Sequence, residues 1–247
     1  TRSSNVTGVQ TCALPILGDA PLVPLTETLR ARDPMLQVDI APLPERASGD
    51  ARDWLQELDE RLPSQTWLGG WSLGGMLASE LAALRGERCR GLLTLASNPR
   101  FVASADWPHG MGEASFNAFV EGCRSDPAAT LKRFCLLCAQ GSVAARGLAR
   151  QLQAAAPHGA PRILLAGLQV LGGLDGRRAL HGFAGPQLHL FAGADALVPA
   201  EVAGDLLALR QTTGIGLIED VGHAFPLEQP GELAAAILAF IDGDGDA

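Results

Sequence analysis

Gly70-Trp71-Ser72-Leu73-Gly74 has the form G-x-S-x-G. A serine so placed sits on a sharp strand-to-helix turn. Small neighbours let strand and helix approach closely, and the hydroxyl is lifted clear of the sheet. The start of the following helix aims N–H groups at an oxygen that becomes negative during acyl transfer. Both flanks are present: strand-like TWLG before the motif and the apolar helical run MLASELAAL after it. A turn that merely packs a helix on a strand, or binds an anion at a helix start, is the rival reading. A P-loop is excluded, because no lysine follows the glycines.

A serine hydroxyl needs a base. Of five histidines, His223 follows a strand end, in VGHAFP, on a glycine-loosened loop just before the last helical pattern. Strand C-termini are where open α/β sheets hold their sites. His109, His158 and His181 lie in the middle of the chain, and His189 alternates within a strand. The base in turn needs an acid to hold its tautomer. Asp195, in FAGADALVP, leaves another strand end and completes the order Ser72, Asp195, His223. Asp220 is too close to His223, Asp175 falls in the middle region, and Asp205 faces out of a helix.

The elements that must position these residues follow from periodicity. Residues 36–40 alternate like a short strand, and 51–62 place Trp54, Leu55, Leu58 and Leu62 on one helical face. Residues 65–70 are strand-like, 73–85 helical, and 91–97 an apolar run of buried-strand length. From about 104 to 185 the pattern is helical pieces (113–123, 127–139, 143–156 and 161–171) punctuated by Pro and Gly. Strands resume at 187–192 and 216–219, and 230–241 reads as a closing helix. Strand–helix alternation predicts an α/β protein: a mostly parallel sheet, helices on both faces and an inserted helical cap.

The 247 residues suit one large domain with a sizeable core. With 47% hydrophobic and 19% charged residues the chain is too apolar for disorder. A net charge of −8 argues against nucleic acid as the main partner. No apolar run approaches about 18 residues, so no membrane span is expected. Residues 11–17 are too short and too broken by Pro15 for a signal peptide. Five cysteines at irregular spacing give no disulfide framework and suit a reducing cytoplasm. Cys135-x-x-Cys138 lies in a helical pattern with no second pair beside it, and reads as buried thiols. Acyl transfer by a triad calls for no metal or cofactor.

Several segments together resemble a known family. They are Trp67-Leu68-Gly69-Gly70-Trp71-Ser72-Leu73-Gly74-Gly75, Leu95-Ala96-Ser97-Asn98-Pro99-Arg100-Phe101, Asp106-Trp107-Pro108, Arg133-Phe134, Ala194-Asp195-Ala196-Leu197-Val198-Pro199 and Gly222-His223-Ala224-Phe225. Across roughly residues 18–242 the chain resembles the pimeloyl-acyl-carrier-protein methyl ester carboxylesterases of biotin synthesis, in the α/β-hydrolase superfamily.

The resemblance implies a cytoplasmic, monomeric serine carboxylesterase that cleaves the methyl ester of a pimeloyl chain on acyl carrier protein. Ser72, Asp195 and His223 match its triad. It implies that Trp71, Leu73, Phe134 and Cys138 contact substrate and that the Leu73 N–H is one oxyanion donor. It also implies that Arg133, Arg146 and Arg150, with Lys132 beside them, face the acidic carrier. The expected division is a core over 18–103 and 186–247 with a cap over 104–185.

The family begins with a strand ending in H-G-W-G or P-G-W-G, which supplies the other oxyanion N–H. Residues 1–17, TRSSNVTGVQTCALPIL, show neither the alternation nor the loop. A truncated chain with a foreign leader is therefore expected, and losing one oxyanion donor costs about 10²–10³ in rate. A broad short-chain carboxylesterase, a hydrolase-fold lyase of menaquinone synthesis and a non-catalytic binding protein are the alternatives.

Overall fold

Six short strands lie side by side in the computed structural model, which describes residues 8–12, 17–156 and 161–244. In chain order the elements are β1 (Gly8–Cys12), α1 (Val23–Arg32), β2 (Gln37–Ala41), α2 (Ala51–Arg61), β3 (Thr66–Trp71), α3 (Leu73–Arg85) and β4 (Cys89–Leu95). Five helices follow: α4 (Glu113–Ser125), α5 (Pro127–Ala139), α6 (Ala145–Ala155), α7 (Pro161–Gly173) and α8 (Arg177–Gly182). The chain closes with β5 (Gln187–Ala192), α9 (Val202–Leu209), β6 (Gly214–Ile218), α10 (Phe225–Glu228) and α11 (Pro230–Asp244).

The strands form one sheet in the order β2-β1-β3-β4-β5-β6, every neighbouring pair parallel. Parallel strands need crossovers, and helices supply them on the faces of the sheet. α3 packs on β3 and β4 and against α2 and α8, whereas α1 packs against α11 and β2. Every residue of β3 and of β5 is buried. That is why both read as unbroken apolar runs. The strand order reverses between β1 and β3, and β3 ends beside that reversal, where open sheets carry their sites.

One expectation is corrected. Residues 1–17 gave no strand on reading, yet Gly8–Cys12 pairs with both β2 and β3 in the middle of that half-sheet. The physical reason is backbone accounting. Without β1, two facing rows of N–H and C=O groups would lie unpaired inside the protein. The expected absence of an oxyanion loop concerns residues 13–16, which lie outside the described residues.

Between β4 and β5, α4 packs on α5 and α7, and α5 packs on α6. Asp126 caps α5 by accepting the Ala129 N–H at 3.0 Å, with Pro127 in the first turn. α8 lies within the span read as cap but packs on α3 of the sheet layer. One hydrophobic cluster runs from Trp54 and Leu58 of α2 through the strands to Phe134 and Leu148 of the cap helices. Among the described residues no helix is long and apolar enough to cross a membrane.

Candidate active site

β3 ends at Trp71 and α3 begins at Leu73, so Ser72 is the whole turn. Its backbone is in the left-handed half of conformational space, φ +55° and ψ −119°. A non-glycine residue there stores about 1–3 kcal/mol and persists only where its surroundings enforce it. They do: the Ser72 N–H donates to the Leu95 carbonyl at 2.9 Å, and its own carbonyl accepts from Ser97 Oγ and Gly75 N, both at 2.9 Å. Glycine is required on both sides. A Cβ on Gly70 would lie 2.1 Å from the Gly74 carbonyl carbon, and one on Gly75 2.6 Å from Ser97 Oγ. The N–H groups of Leu73 and Gly74 open α3 and have no intrahelical acceptor.

Asp195 and His223 come from the loops after β5 and β6. His223 Nδ1 donates to Asp195 Oδ2 at 2.8 Å, with both side chains fully buried. Asp195 Oδ1 accepts from the N–H groups of Leu197 (2.8 Å) and Val198 (3.0 Å). The carboxylate is thereby locked in one orientation, and the proton is held on Nδ1, leaving Nε2 bare to act as a base. The two loops are also tied to each other: Ala194 N–H donates to the Val221 carbonyl at 3.0 Å. Nε2 is buried and has no hydrogen-bond partner among the described residues, so the bond to Ser72 is unmade in this free state. Catalytic contacts commonly tighten only when substrate binds.

Ser72 opens on a cavity of about 520 Å³. Its wall is almost wholly apolar, with Phe101, Met111, Phe119, Phe134, Leu137, Leu168, Leu171 and Leu197, joined by Ser115, Thr130 and Arg133. Phe119 of α4 and Phe134 of α5 stack at 5.3 Å. Such a space suits a hydrocarbon chain rather than a sugar or nucleotide.

Of the residues read from sequence as substrate contacts, Phe134 lies in this wall. The wall does not include Trp71, Leu73 or Cys138. The Trp71 edge is already used, since its Nε1–H donates to the His223 carbonyl at 3.0 Å. Leu73, the first residue of α3, has its side chain fully buried in the core. Cys138 is also fully buried, and its carbonyl accepts the Ala224 N–H at 3.0 Å. Burial, then the neighbouring Asp195 charge, push its thiol well above the ordinary range. Burial pushes Cys135 up to about 11. Burial thus disfavours the thiolate at both sulfurs, as for packed core cysteines rather than nucleophiles. Among the described residues no cluster of His, Cys, Asp and Glu is suited to a metal.

The three arginines separate. Arg133 lines the apolar cavity, its guanidinium donating to Thr130 Oγ1 at 3.1 Å. Arg146 and Arg150 of α6, with Lys132 of α5, line a different depression of about 290 Å³ whose wall includes the half-exposed Leu136. Residues 127–174 contain Lys132, Arg133, Arg146, Arg150 and Arg162 and no Asp or Glu, in a chain of net charge −8.

Residues near Asp106-Trp107-Pro108 brace the wall. Asn98 accepts from the Trp107 indole (2.8 Å) and donates to the His109 carbonyl (2.7 Å). Arg177 stacks over Trp107 and pairs with Asp106 (2.9 Å) and Asp175 (2.6 Å). This network fixes the loop that carries Phe101 and Met111. Asp205 is not idle on its helix, because it pairs with His109 at 2.7 Å. Periodicity could not reveal these bonds. Short polar residues flanking a motif, such as Ser97 and Asn98, were the available signal.

Comparison with known proteins agrees with the geometry. The profile of the Alpha/beta hydrolase family matches residues 23–236. The chain is 39% identical over 188 residues to the Biotin biosynthesis bifunctional protein BioHC of Cellvibrio japonicus, covering 76% of this chain and 38% of that one. It thus spans well under half the length of the bifunctional relative. It is 35% identical over 188 residues to the Pimeloyl-[acyl-carrier protein] methyl ester esterase of Vibrio vulnificus, covering 75% of this chain and 73% of that one. Among solved structures, a bromoperoxidase from Bacillus anthracis superposes with TM-score 0.84 at 18% identity, covering 96% of this chain and 92% of that one. An esterase from Exiguobacterium antarcticum follows with TM-score 0.81 at 16% identity, covering 96% and 93%. At those identities the structural likeness speaks for the fold alone.

Proposed function

The chain belongs to the alpha/beta hydrolase family, and on that premise we propose that it is a cytoplasmic serine esterase that hydrolyses the methyl ester of a pimeloyl chain borne on acyl carrier protein. The observation that carries the chemistry is the buried His223–Asp195 pair at 2.8 Å, set on the two loops beside the Ser72 turn and its apolar cavity. The relatives named for biotin synthesis support the choice of substrate.

The acyl chain occupies the cavity, with its methyl ester carbonyl at Ser72. His223 Nε2 takes the Ser72 proton as Oγ bonds to the carbonyl carbon. The oxyanion so formed accepts from the Leu73 N–H at the start of α3. The intermediate collapses and expels methoxide, which leaves as methanol after taking the proton from the imidazolium. Water, deprotonated by His223, then attacks the acyl-serine; Ser72 regains its proton, and the free carboxylate departs on its carrier. Asp195 keeps the Nδ1 proton in place and stabilises the imidazolium throughout. Arg133, Arg146, Arg150 and Lys132 give the cap a local positive field for an acidic carrier despite the net negative charge.

The deciding experiment is methanol release from a pimeloyl methyl ester on acyl carrier protein, beside a free short-chain methyl ester. Release that requires the carrier and disappears in Ser72→Ala supports the proposal. Equal efficiency on the free ester points to a broad carboxylesterase. Silence on both by folded protein overturns the esterase reading.

A further inference from the structure

The turn that ends α5, Gln140-Gly141-Ser142, is wedged between the two loops that carry the acid and the base. On the acid side Gly141, at φ +90°, is pressed so closely to Ala194 that a Cβ there would lie 2.4 Å from the Ala194 carbonyl oxygen. On the base side a Cβ on Gly222 would lie 2.1 Å from the Gln140 carbonyl oxygen. The Ala224 N–H donates to the Cys138 carbonyl at 3.0 Å. The residues on both flanks of His223 are thus fitted against the end of one cap helix.

A side-chain bond closes this arrangement. Ser142 Oγ donates to Glu228 Oε1, and Glu228 ends α10, the short helix that starts two residues after His223. The other carboxylate oxygen, Oε2, is buried and has no hydrogen-bond partner among the described residues. Among the described residues Ser142 is the side-chain donor to this carboxylate. The same α5 carries Phe134 and Leu137 in the cavity wall and Lys132 beside the cationic depression.

We propose that Glu228 and Ser142 are positioning residues. Their hydrogen bond fixes the α5 turn against the His223 loop and so sets how His223 Nε2 is presented to Ser72. The inference rests on the triad reading but not on the identity of the ester. The base is the member that needs such control, because its Nε2 bond to Ser72 is unmade in the free state while its bond to Asp195 is already formed. An occupant of the cavity that shifts Phe134 or Leu137 moves α5, and the latch passes that movement to the base.

The test is the rate of Ser72 phosphonylation by an alkyl fluorophosphonate across pH. This reaction needs the Ser72–His223 pair but no particular ester. The full chain, Ser142→Ala, Ser142→Thr and Glu228→Gln are compared, with melting temperature measured on each. Ser142→Ala is expected to slow labelling by about tenfold, the kinetic equivalent of one charge-assisted hydrogen bond. Ser142→Thr restores the hydroxyl and the rate, and Glu228→Gln, which keeps an acceptor, falls between. Unchanged labelling of folded Ser142→Ala overturns the proposal, as does a lowered melting temperature with an unchanged rate. Equal slowing by Ala and Thr overturns it as well. Failure to label the unsubstituted chain sinks the triad reading itself and the latch with it. Labelling without hydrolysis of the carrier-borne ester removes only the proposed substrate.

Discussion

The Trp71 indole N–H donates to the His223 carbonyl at 3.0 Å, and the two rings lie 5.6 Å apart. The residue preceding Ser72, the proposed nucleophile, therefore holds the backbone of His223, the proposed base. Trp71→Phe keeps the ring and loses the donor. We expect kcat for a simple ester to fall by about tenfold with KM little changed, the effect of one lost buried hydrogen bond. An equal change in both constants would move Trp71 from orienting the base to binding substrate.

Asp195→Asn should be far more damaging. The carboxylate takes the Nδ1 proton and is itself held by the Leu197 and Val198 N–H groups. An amide in its place offers a donor to Nδ1 and selects the wrong tautomer. A loss of about 10⁴ in kcat is expected, as in other triad hydrolases. Steady-state kinetics on p-nitrophenyl butyrate check it, and a loss below tenfold would remove Asp195 from the triad.

Charge reversal separates docking from chemistry. Arg146 and Arg150 line a depression apart from the acyl cavity. Arg146→Glu with Arg150→Glu should raise KM for the carrier-borne ester by about tenfold or more and leave p-nitrophenyl butyrate untouched. Raising salt from low to physiological strength should weaken the unsubstituted chain on the carrier-borne ester in the same direction. Equal effects on both substrates would mean that the arginines support the cap rather than a partner.

His189 predicts an acid limb of stability. Gln187 Nε2 donates to the carbonyls of Leu180 (2.9 Å) and Phe183 (3.1 Å), so its Oε1 accepts from His189 Nε2–H at 3.3 Å. Nδ1 is left to accept from the Thr94 hydroxyl at 2.6 Å. Burial, then the Arg210 charge, lower this imidazole to about 3. The unfolded chain takes up a proton near pH 6.5 and the folded chain does not until about pH 3. Stability therefore falls as pH drops through that window, by up to about 1.4 kcal/mol per pH unit from this group. Urea unfolding at pH 7, 6 and 5 should show a shallower slope in His189→Gln. Identical slopes would refute the assignment.

Two glycines should respond oppositely to alanine. Gly70→Ala drives a methyl into the Gly74 backbone, which cannot retreat, and soluble protein should be lost. Gly147 lies in α6 with open space around its Cβ position. There alanine should stabilise by about 0.5–1 kcal/mol, because glycine is the poorer helix former. Thermal melts of the two variants read both outcomes.

The sequence by itself determined what neighbouring residues decide. The glycines around Ser72 announce the strained turn, and the apolar run after it sets α3 at Leu73–Arg85, the span read from periodicity. α5 at Pro127–Ala139 and β5 at Gln187–Ala192 were equally legible, because caps, prolines and apolar repeats act over one or two turns. Chain order together with a place just after a strand end favoured Asp195 and His223 over other acids and histidines. The tertiary structure decided what depends on segments far apart. It fills the slot between β2 and β3 with Gly8–Cys12, whose own residues advertise no strand, because two open ladders there require a partner. It puts the Trp71 indole N–H on the His223 carbonyl, parts Arg133 from Arg146 and Arg150, and sets the end of α5 against the loops that carry Asp195 and His223. Local pattern says which face of an element is apolar, but what that face meets is fixed only when the layers close-pack, and the functional contacts of this chain lie between the layers.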